Sequence, residues 1–514
     1  MQATTVQSTE GMVVGPGQAV GAGVAVLRAG GNAVDAAVAA ALAAGVVAPA
    51  ECGLAGCGGA LVTYHAATGQ VGCVEFGARA PAAVDGVIPA VGYLALAVPG
   101  TPAGLARALA RYGTLSFAEA AAPAIRLARE GFPASPAYVA HLEAHQQQIA
   151  AFPETAEWLL PGGRVPAPGD LVTNEAHAQL LEQLAAEGVE SFYRGSIAHA
   201  IAAHVQAQGG MLTKADLAAY TPREGPALGI RFHDYEIQTA PLPAGGASVL
   251  QGLKILEEMD LNNLWRQSLR YYHTLLLTLQ AVWTDRLAYL GDPEAVAVPL
   301  DWLLSDAHAA TLRQRVEQQV HAAAVLHGPE VVGLPGGTVQ ITTADRHGGL
   351  ASLALTHGSA FGPFVSLPGT GTLLGGGMDR FDPLPGRANS AAPGKRPLHD
   401  LCPVLVLKEG RPILALGGFG GRKIVSAVLQ CLVYFCGVHL PVEDAVAYAR
   451  LHTEGAADLW IEPHLPRPAA DYLRALGYTL SYGTVATVHA VQRVDGGRLI
   501  GIADPRTAGL AVGL

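Results

Sequence analysis

Charge is scarce in this chain. Asp, Glu, Lys and Arg make up only 14% of 514 residues, the formal balance is −10, and no block of Lys or Arg occurs. Nucleic acid or an acidic membrane surface therefore finds no basic footprint, and a small-molecule substrate is the expectation that remains. Cysteine is scarce too. The six present (Cys52, Cys57, Cys73, Cys402, Cys431, Cys436) are sparse for the length, and two lie in or beside the apolar run 424–435, so buried reduced thiols are expected. Long hydrophobic runs are missing: the most apolar stretch, 36–50, is too short to span a bilayer and carries Gly45 and Pro49, which suits a buried helix. The first ten residues lack the basic start and apolar core of a secretion signal, so the chain reads as cytoplasmic. Cofactor signatures are incomplete. His141 and His145 stand four apart, but Leu142 occupies the place of a metalloprotease glutamate and no third ligand follows. Gly15 and Gly17 have no strand leading into them, and Gly394-Lys395 is followed by Arg396-Pro397 rather than Ser or Thr. No metal or organic cofactor is expected.

What is present suits a compact globule with many tight turns: half the residues are hydrophobic, and there are 63 Gly and 34 Pro. The length allows two average domains or one many-layered one. Residues 12–135 alternate helical and strand patterns, with an alanine-rich helix that Asn32 can cap, then strands over 60–64 and 71–76. From 137 to 330 the pattern is mostly amphipathic helix, including 175–187, 196–208, 272–289 and 306–319, which reads as an outer helical layer. After Pro335-Gly-Gly337 it turns to short strands and glycine turns, with two obvious helices over 423–435 and 442–450.

Segments 338–344 and 350–356 read as two strands joined by a turn over 346–349. If that turn centres on His347, Thr338 sits opposite Thr356, close enough for a bond between hydroxyls; the pairing tolerates no bulge. The glycines before Thr338 allow the backbone angles a chain needs to present a carbonyl to the next side chain. By itself a Gly-Gly-Thr opening a strand is a weak signal that an ordinary hairpin also explains. Gly417-Gly-Phe-Gly-Gly421, between a strand over 413–416 and a helix, adds backbone N–H groups suited to an oxyanion, although a plain strand-to-helix turn has the same look.

Nine ordered segments raise the specificity of the reading: Gly30-Gly-Asn-Ala-Val-Asp-Ala-Ala37, Gly53-Leu-Ala-Gly-Cys-Gly-Gly59, Pro99-Gly-Thr-Pro102, Tyr193-Arg-Gly195, Asp285-Arg286 with Tyr289-Leu-Gly-Asp-Pro293, Gly337-Thr338, Pro368-Gly-Thr-Gly371, Lys395-Arg-Pro397 and Asp504-Pro-Arg506. Together they resemble the gamma-glutamyltranspeptidase family over essentially the whole chain. The resemblance implies an α+β fold, a four-layer αββα sandwich made as one proenzyme. It implies cleavage between Gly337 and Thr338 into a heavy subunit, 1–337, and a light catalytic subunit, 338–514, which stay together as one structural domain. It also implies that Thr338 is the nucleophile, with its freed α-amine as base, that Thr356 orients it, and that the N–H groups of Gly420 and Gly421 form the oxyanion hole.

The departures from the family pattern fall on substrate-reading positions. Gly77 stands where the family has an arginine for the glutamyl α-carboxylate, with Arg79 two residues on as a substitute. Arg380 stands where the family has an aspartate for the α-ammonium. His399 and Asp400 replace paired serines, Gly358 replaces a polar residue, and Gly377 precedes Met378. Arg380 is expected either to bind a substrate carboxylate bidentately or to pair with Asp379, Asp382 or Asp400, and His399 with Asp400 to form a polar pair at the pocket wall. The segment 382–395 is short, so any lid over the site is small or absent. The expectation is an amidohydrolase or acyltransferase acting on a small carboxylated amide, with water or an amine as acceptor. An oxamate-type amidohydrolase of the same family is one alternative, and an unprocessed, non-catalytic scaffold of the same fold is another.

Overall fold

The computed structural model describes residues 2–85, 88–266, 269–323 and 336–514. Pro335, at the expected change from helix to strand, lies outside them. Fourteen strands build two stacked sheets: Thr4–Ser8 (β1), Gly11–Pro16 (β2), Gly58–His65 (β3), Gln70–Glu75 (β4), Arg223–Gly225 (β5), Leu228–Phe232 (β6), Tyr235–Thr239 (β7), Gly336–Asp345 (β8), Leu350–Ser359 (β9), Val404–Lys408 (β10), Arg411–Phe419 (β11), Thr487–Arg493 (β12), Leu499–Ala503 (β13) and Gly509–Gly513 (β14). One sheet runs β14-β2-β8-β9-β3-β4-β5 and the other β1-β13-β12-β11-β10-β7-β6, and the pairings within both are antiparallel.

Helices cover both outer faces. The helix Ala33–Val47 packs on β8 and β9 and is covered in turn by Phe117–Glu130. It has no polar face because it is enclosed on all sides, and its alanines let the neighbouring layers approach. Asn32 caps it in a reciprocal box with Asp35. On the other side, Gly246–Leu256 and Lys423–Leu432 cover the second sheet, with Leu269–Tyr289 packed behind them. The four layers are therefore αββα, as expected. Among the described residues no helix is long and apolar enough to cross a membrane.

Alternation along β8 sorts its side chains between two environments. Val339 and Ile341 enter the helix-side core, whereas Thr338, Gln340 and Thr342 face the gap between the sheets. Towards the other end of the sandwich that gap is apolar, filled by Met12, Val14, Val62, Leu405 and Val491. Near Thr338 it is polar: the Gln340 amide donates to Ser352 (3.0 Å), whose hydroxyl donates to the Leu416 carbonyl of the second sheet (2.8 Å). A hydrophobic gap thus gives way to a hydrogen-bonded one at the end where the glycine-rich turn sits.

The structure adds elements the sequence pattern concealed. β2 is buried along nearly its whole length, so it shows none of the polar alternation that marks a half-buried strand. β6 and β7 form a sheet edge inside the stretch read as helical, and a helix over Arg467–Ala475 follows the two anticipated in the last part of the chain. Both sheets take strands from both sides of residue 337, with β1 pairing β13 and β2 pairing β8 and β14.

Candidate active site

Thr338 faces Thr356 in the β8/β9 ladder, and the register shifts between Gly337 and Thr338, so that Gly337 faces Gly358 and Gly336 faces Ser359. The bulge excluded by the simple hairpin count is present, but it falls just before Thr338 and leaves the two threonines opposed. Both are buried. The Thr338 hydroxyl donates to Thr356 Oγ1 at 3.1 Å, and Thr356 in turn donates to the Gly337 carbonyl and accepts from the Gly358 N–H at 2.8 Å. One hydroxyl thus touches a neighbouring hydroxyl, the carbonyl of the Gly337–Thr338 peptide and the backbone of the opposing strand. Only glycine fits at 337: a Cβ there would lie 2.6 Å from the Ala50 carbonyl oxygen and 2.7 Å from that of Ser359.

The glycine run 417–421 ends β11 and turns into the helix Lys423–Leu432. Its start lies over the polar gap, because a Cβ on Gly417 would meet the Gln340 side chain at 2.3 Å, two residues along β8 from Thr338. Gly420 and Gly421 have φ of +130° and +67°, a backbone that other residues adopt only with strain. Among the described residues neither N–H donates to another protein atom. Two adjacent amides with no protein acceptor among the described residues thus precede a ten-residue helix, a setting in which backbone N–H groups can receive an anion.

On the other side of the threonines, Arg380 reaches the carbonyl of Gly358 with Nη2 and Asp400 Oδ2 with Nη1 (3.2 Å). Its guanidinium is therefore one residue across the ladder from Gly337. Gly358 (φ +96°) packs beside Gly377 and Arg380, where a Cβ would fall 3.4 Å from the Gly377 nitrogen and 3.8 Å from Arg380 Nε, whereas a Cβ on Gly377 would meet Cys57 Sγ at 2.5 Å. Asp400 also receives Arg286 Nη2 at 2.8 Å. Burial alone would raise its carboxyl, but Arg286 and Arg380 outweigh that and hold it below the usual carboxylate range.

Two expectations change here. His399 and Asp400 do not pair: His399 Nε2 turns to Glu75 Oε1 (3.3 Å), while Asp400 turns to the two arginines, because neighbours in an extended segment point to opposite sides. Arg380 has both terminal nitrogens engaged, so of its two anticipated roles the Asp400 pair is present and a free bidentate fork is not. Gly77 lies against the Glu75–His399 pair: a Cβ there would be 2.7 Å from Glu75 Oε1 and 3.3 Å from the His399 ring. Arg79 donates to the carbonyls of Gly394 and Ala219 and ties loops together. The segment 382–395 is folded on itself, with Lys395 Nζ donating to the carbonyls of Ala388 and Ser390.

Several residues of this site escaped the sequence reading. Glu75 gave one signal, a carboxylate inside the apolar run 71–76; burial raises its pKa, but His399 and the Arg396 charge leave it below the ordinary range. Arg286 was seen only as part of a motif. Arg422, Glu454 and His452, beside the glycine turn, carried no signal. The Asp292 and Asp504 motifs prove to be struts: Asp292 binds Arg223 and the Arg396 N–H, and Asp504 binds Arg450, Arg506 and the Val488 N–H. His145 packs against Phe361 and Phe364.

Comparison with known proteins identifies the family. The gamma-glutamyltranspeptidase family model matches residues 19–514. The acylase ACY 1 proenzyme of Pseudomonas sp. (strain SE83) is 34% identical, over 96% of this chain and 91% of that protein. The glutathione hydrolase proenzyme of Bacillus subtilis (strain 168) is 30% identical, over 96% of this chain and 89% of that protein. The crystal structure of cephalosporin acylase from Bacillus halodurans superposes with a TM-score of 0.92 at 27% identity, covering 99% of this chain and 97% of that one. By sequence and by fold, the chain belongs to the gamma-glutamyltranspeptidase family and is an N-terminal-nucleophile enzyme, a self-processing hydrolase or transferase of amides.

Proposed function

We propose that the chain cleaves itself between Gly337 and Thr338 and then acts as an acylase on amides whose acyl group ends in a carboxylate and lacks an α-ammonium. In self-cleavage Thr338 Oγ1 attacks the Gly337 carbonyl carbon while the Thr356 hydroxyl stabilises the oxygen. The C–N bond breaks, the nitrogen takes a proton and an ester forms. Water then hydrolyses the ester, leaving a Gly337 carboxylate and a free Thr338 hydroxyl and α-amine. That amine, with an ordinary pKa of about 7.7–8.0, takes the hydroxyl proton as the oxygen attacks a substrate amide, and passes it to the departing amine. The Gly420 and Gly421 N–H groups receive the oxyanion, and water or an amine takes the acyl group from the threonine.

The observation that carries the substrate class is Arg380. A guanidinium bonded to the Gly358 carbonyl stands beside the cleavage site where the resemblance calls for an aspartate, and Asp400, shared with Arg286, offsets only one of the two positive charges. Such a site repels an ammonium and attracts a carboxylate. That two relatives are named acylases supports the acylase part of the reading.

The test has two parts. Wild-type protein should give two fragments on a denaturing gel and Thr338→Ala one. Turnover of a glutaryl anilide should exceed that of the matching gamma-glutamyl anilide, and Arg380→Asp should reduce or reverse the preference. A wild type that strongly prefers the glutamyl compound refutes the substrate assignment, and an uncut, inactive wild type favours a scaffold.

A further inference from the structure

Beside the glycine turn lies a buried polar chain that the mechanism above does not use. Arg422, the residue after Gly421, donates from Nη1 to Glu454 Oε2 at 2.9 Å. The other oxygen, Glu454 Oε1, lies 3.5 Å from His452 Nε2, and His452 Nδ1 meets Ser426 Oγ at 2.8 Å. The order Ser–His–Glu resembles a hydrolytic triad, but Ser426 is fully buried on a helix whose neighbouring residues 424–432 are all buried too. The chain is instead closed on itself. Ser426 lies on the first turn of the helix that follows Gly421, and Gln430, one turn further, clamps the 451 backbone from both sides: its Nε2 donates to the Leu451 carbonyl (2.7 Å) and its Oε1 accepts the Leu451 N–H (3.1 Å). Trp283 and the His452 ring pack in a T-shaped contact. Arg422 and Ser426 thus bind the two ends of the 452–454 segment to the start of one helix.

The turn needs such support. Gly420 and Gly421 hold positive-φ backbone with their amides donating to no protein atom among the described residues; glycine adopts such angles without strain and leaves them as easily, so the aim of the two amides depends on what packs around the turn. Behind it, a Cβ on Gly420 would lie 2.9 Å from Ala486 Cα, so the turn has a wall on one side and the Arg422 tether on the other.

We propose that Glu454, His452 and Arg422 are positioning residues that aim the Gly420 and Gly421 amides at the oxyanion of substrate turnover, and that they serve turnover alone, because self-cleavage draws its oxygen contact from Thr356. The inference rests on the assignment of Thr338 as nucleophile and of these amides as the oxyanion site. It separates the two reactions of one nucleophile. The Gly337 carbonyl already accepts from the Thr356 hydroxyl, and among the described residues no hydrogen bond joins it to the glycine turn.

The test uses the full chain with Arg422→Met, Glu454→Gln and Glu454→Asp, sites at the partly exposed end of the network where folding is least endangered. Self-cleavage is followed by intact mass, turnover with a glutaryl anilide. Arg422→Met and Glu454→Gln are expected to lower kcat by about 10- to 100-fold with KM little changed, less than the roughly 10²–10³ lost with an oxyanion donor itself. A glutaryl-like phosphonate, a mimic of the tetrahedral intermediate, should lose affinity in step with kcat, whereas glutarate should not. Glu454→Asp should recover part of the rate. The double variant should be no slower than the worse single one, as coupled members of one chain require. Self-cleavage should proceed at the wild-type rate in all of them. Wild-type kcat in the two single variants overturns the proposal, and so does self-cleavage that slows together with turnover, the mark of general structural damage. Failure of the underlying assignment looks different: turnover would survive Thr338→Ala, and both readings would fall.

Discussion

Removing the Thr356 hydroxyl tests the site at its most connected atom. Thr356 Oγ1 accepts from Thr338 and from the Gly358 N–H and donates to the Gly337 carbonyl. In Thr356→Ala the developing oxyanion at Gly337 loses the donor seen in the single chain. Loss of one such donor slows acyl chemistry by about 10²–10³, or about 2.7–4 kcal/mol of barrier. The folded state suffers separately: the Gly358 N–H, buried and without its acceptor, costs about 1–3 kcal/mol. Thr356→Ser keeps the hydroxyl and should process within a few-fold of wild type, while Thr356→Val keeps the shape and should behave like alanine. The assay is a time course of intact mass on unprocessed protein at pH 7.5, with urea unfolding of each variant to separate stability from rate. Self-cleavage of Thr356→Ala at the wild-type rate would refute the reading, whatever its effect on stability.

Two further outcomes follow from the buried charges. Asp400→Ala leaves Arg286 and Arg380 without their shared carboxylate and should destabilise the protein by about 3–5 kcal/mol in urea unfolding, with part recovered in Asp400→Ala/Arg380→Met; a variant as stable as wild type would show that the three do not form a paired cluster. Burial lowers the pKa of His177, His357 and His489 to about 4 each. The unfolded chain binds protons below about 6.5 that the folded chain refuses, so stability should fall as pH drops from about 6.5 towards 4, by up to about 1.4 kcal/mol per pH unit for each histidine. Urea midpoints that do not move between pH 7 and pH 5 would contradict that burial.

Much of the candidate site's backbone was legible because it is local. A hairpin with a short glycine-containing turn has few registers, so the pairing of Thr338 with Thr356 follows from the chain itself, whereas the bulge at Gly337 leaves that pairing unchanged and so escaped a count made from the turn. Helix boundaries with side-chain caps were equally plain: Glu175–Glu187 begins after Asn174, which accepts the His177 N–H, and ends at Gly188. The strands β2, β6 and β7 were hidden for opposite reasons, β2 because both faces are buried and the other two because helices flank them on either side. The partners of His399 and Asp400 were not legible. Glu75 is more than 300 residues from His399 in sequence, and no short-range pattern announces the contact.

That difference bears on how such a site can change its substrate. The two threonines sit on paired strands and the glycine turn ends a strand of the facing sheet, so backbone geometry places all three. The proposed acyl-binding side is built from side chains outside the strands: Arg380 at the end of a short 3-10 turn after Gly377, and His399 and Asp400 ahead of β10, held by Glu75 and Arg286 from elsewhere in the fold. Exchanging an aspartate for Arg380 alone would set two guanidiniums, Arg286 and Arg380, against each other. Asp400, lying between them, is what makes the exchange tolerable. A charge reversal at 380 therefore requires an acidic partner at 400, and the single reversion Arg380→Asp would place two carboxylates side by side with only Arg286 to offset them. The specificity test thus needs the double variant Arg380→Asp/Asp400→Ser beside the single one, and it is the double variant that should accept the gamma-glutamyl substrate better.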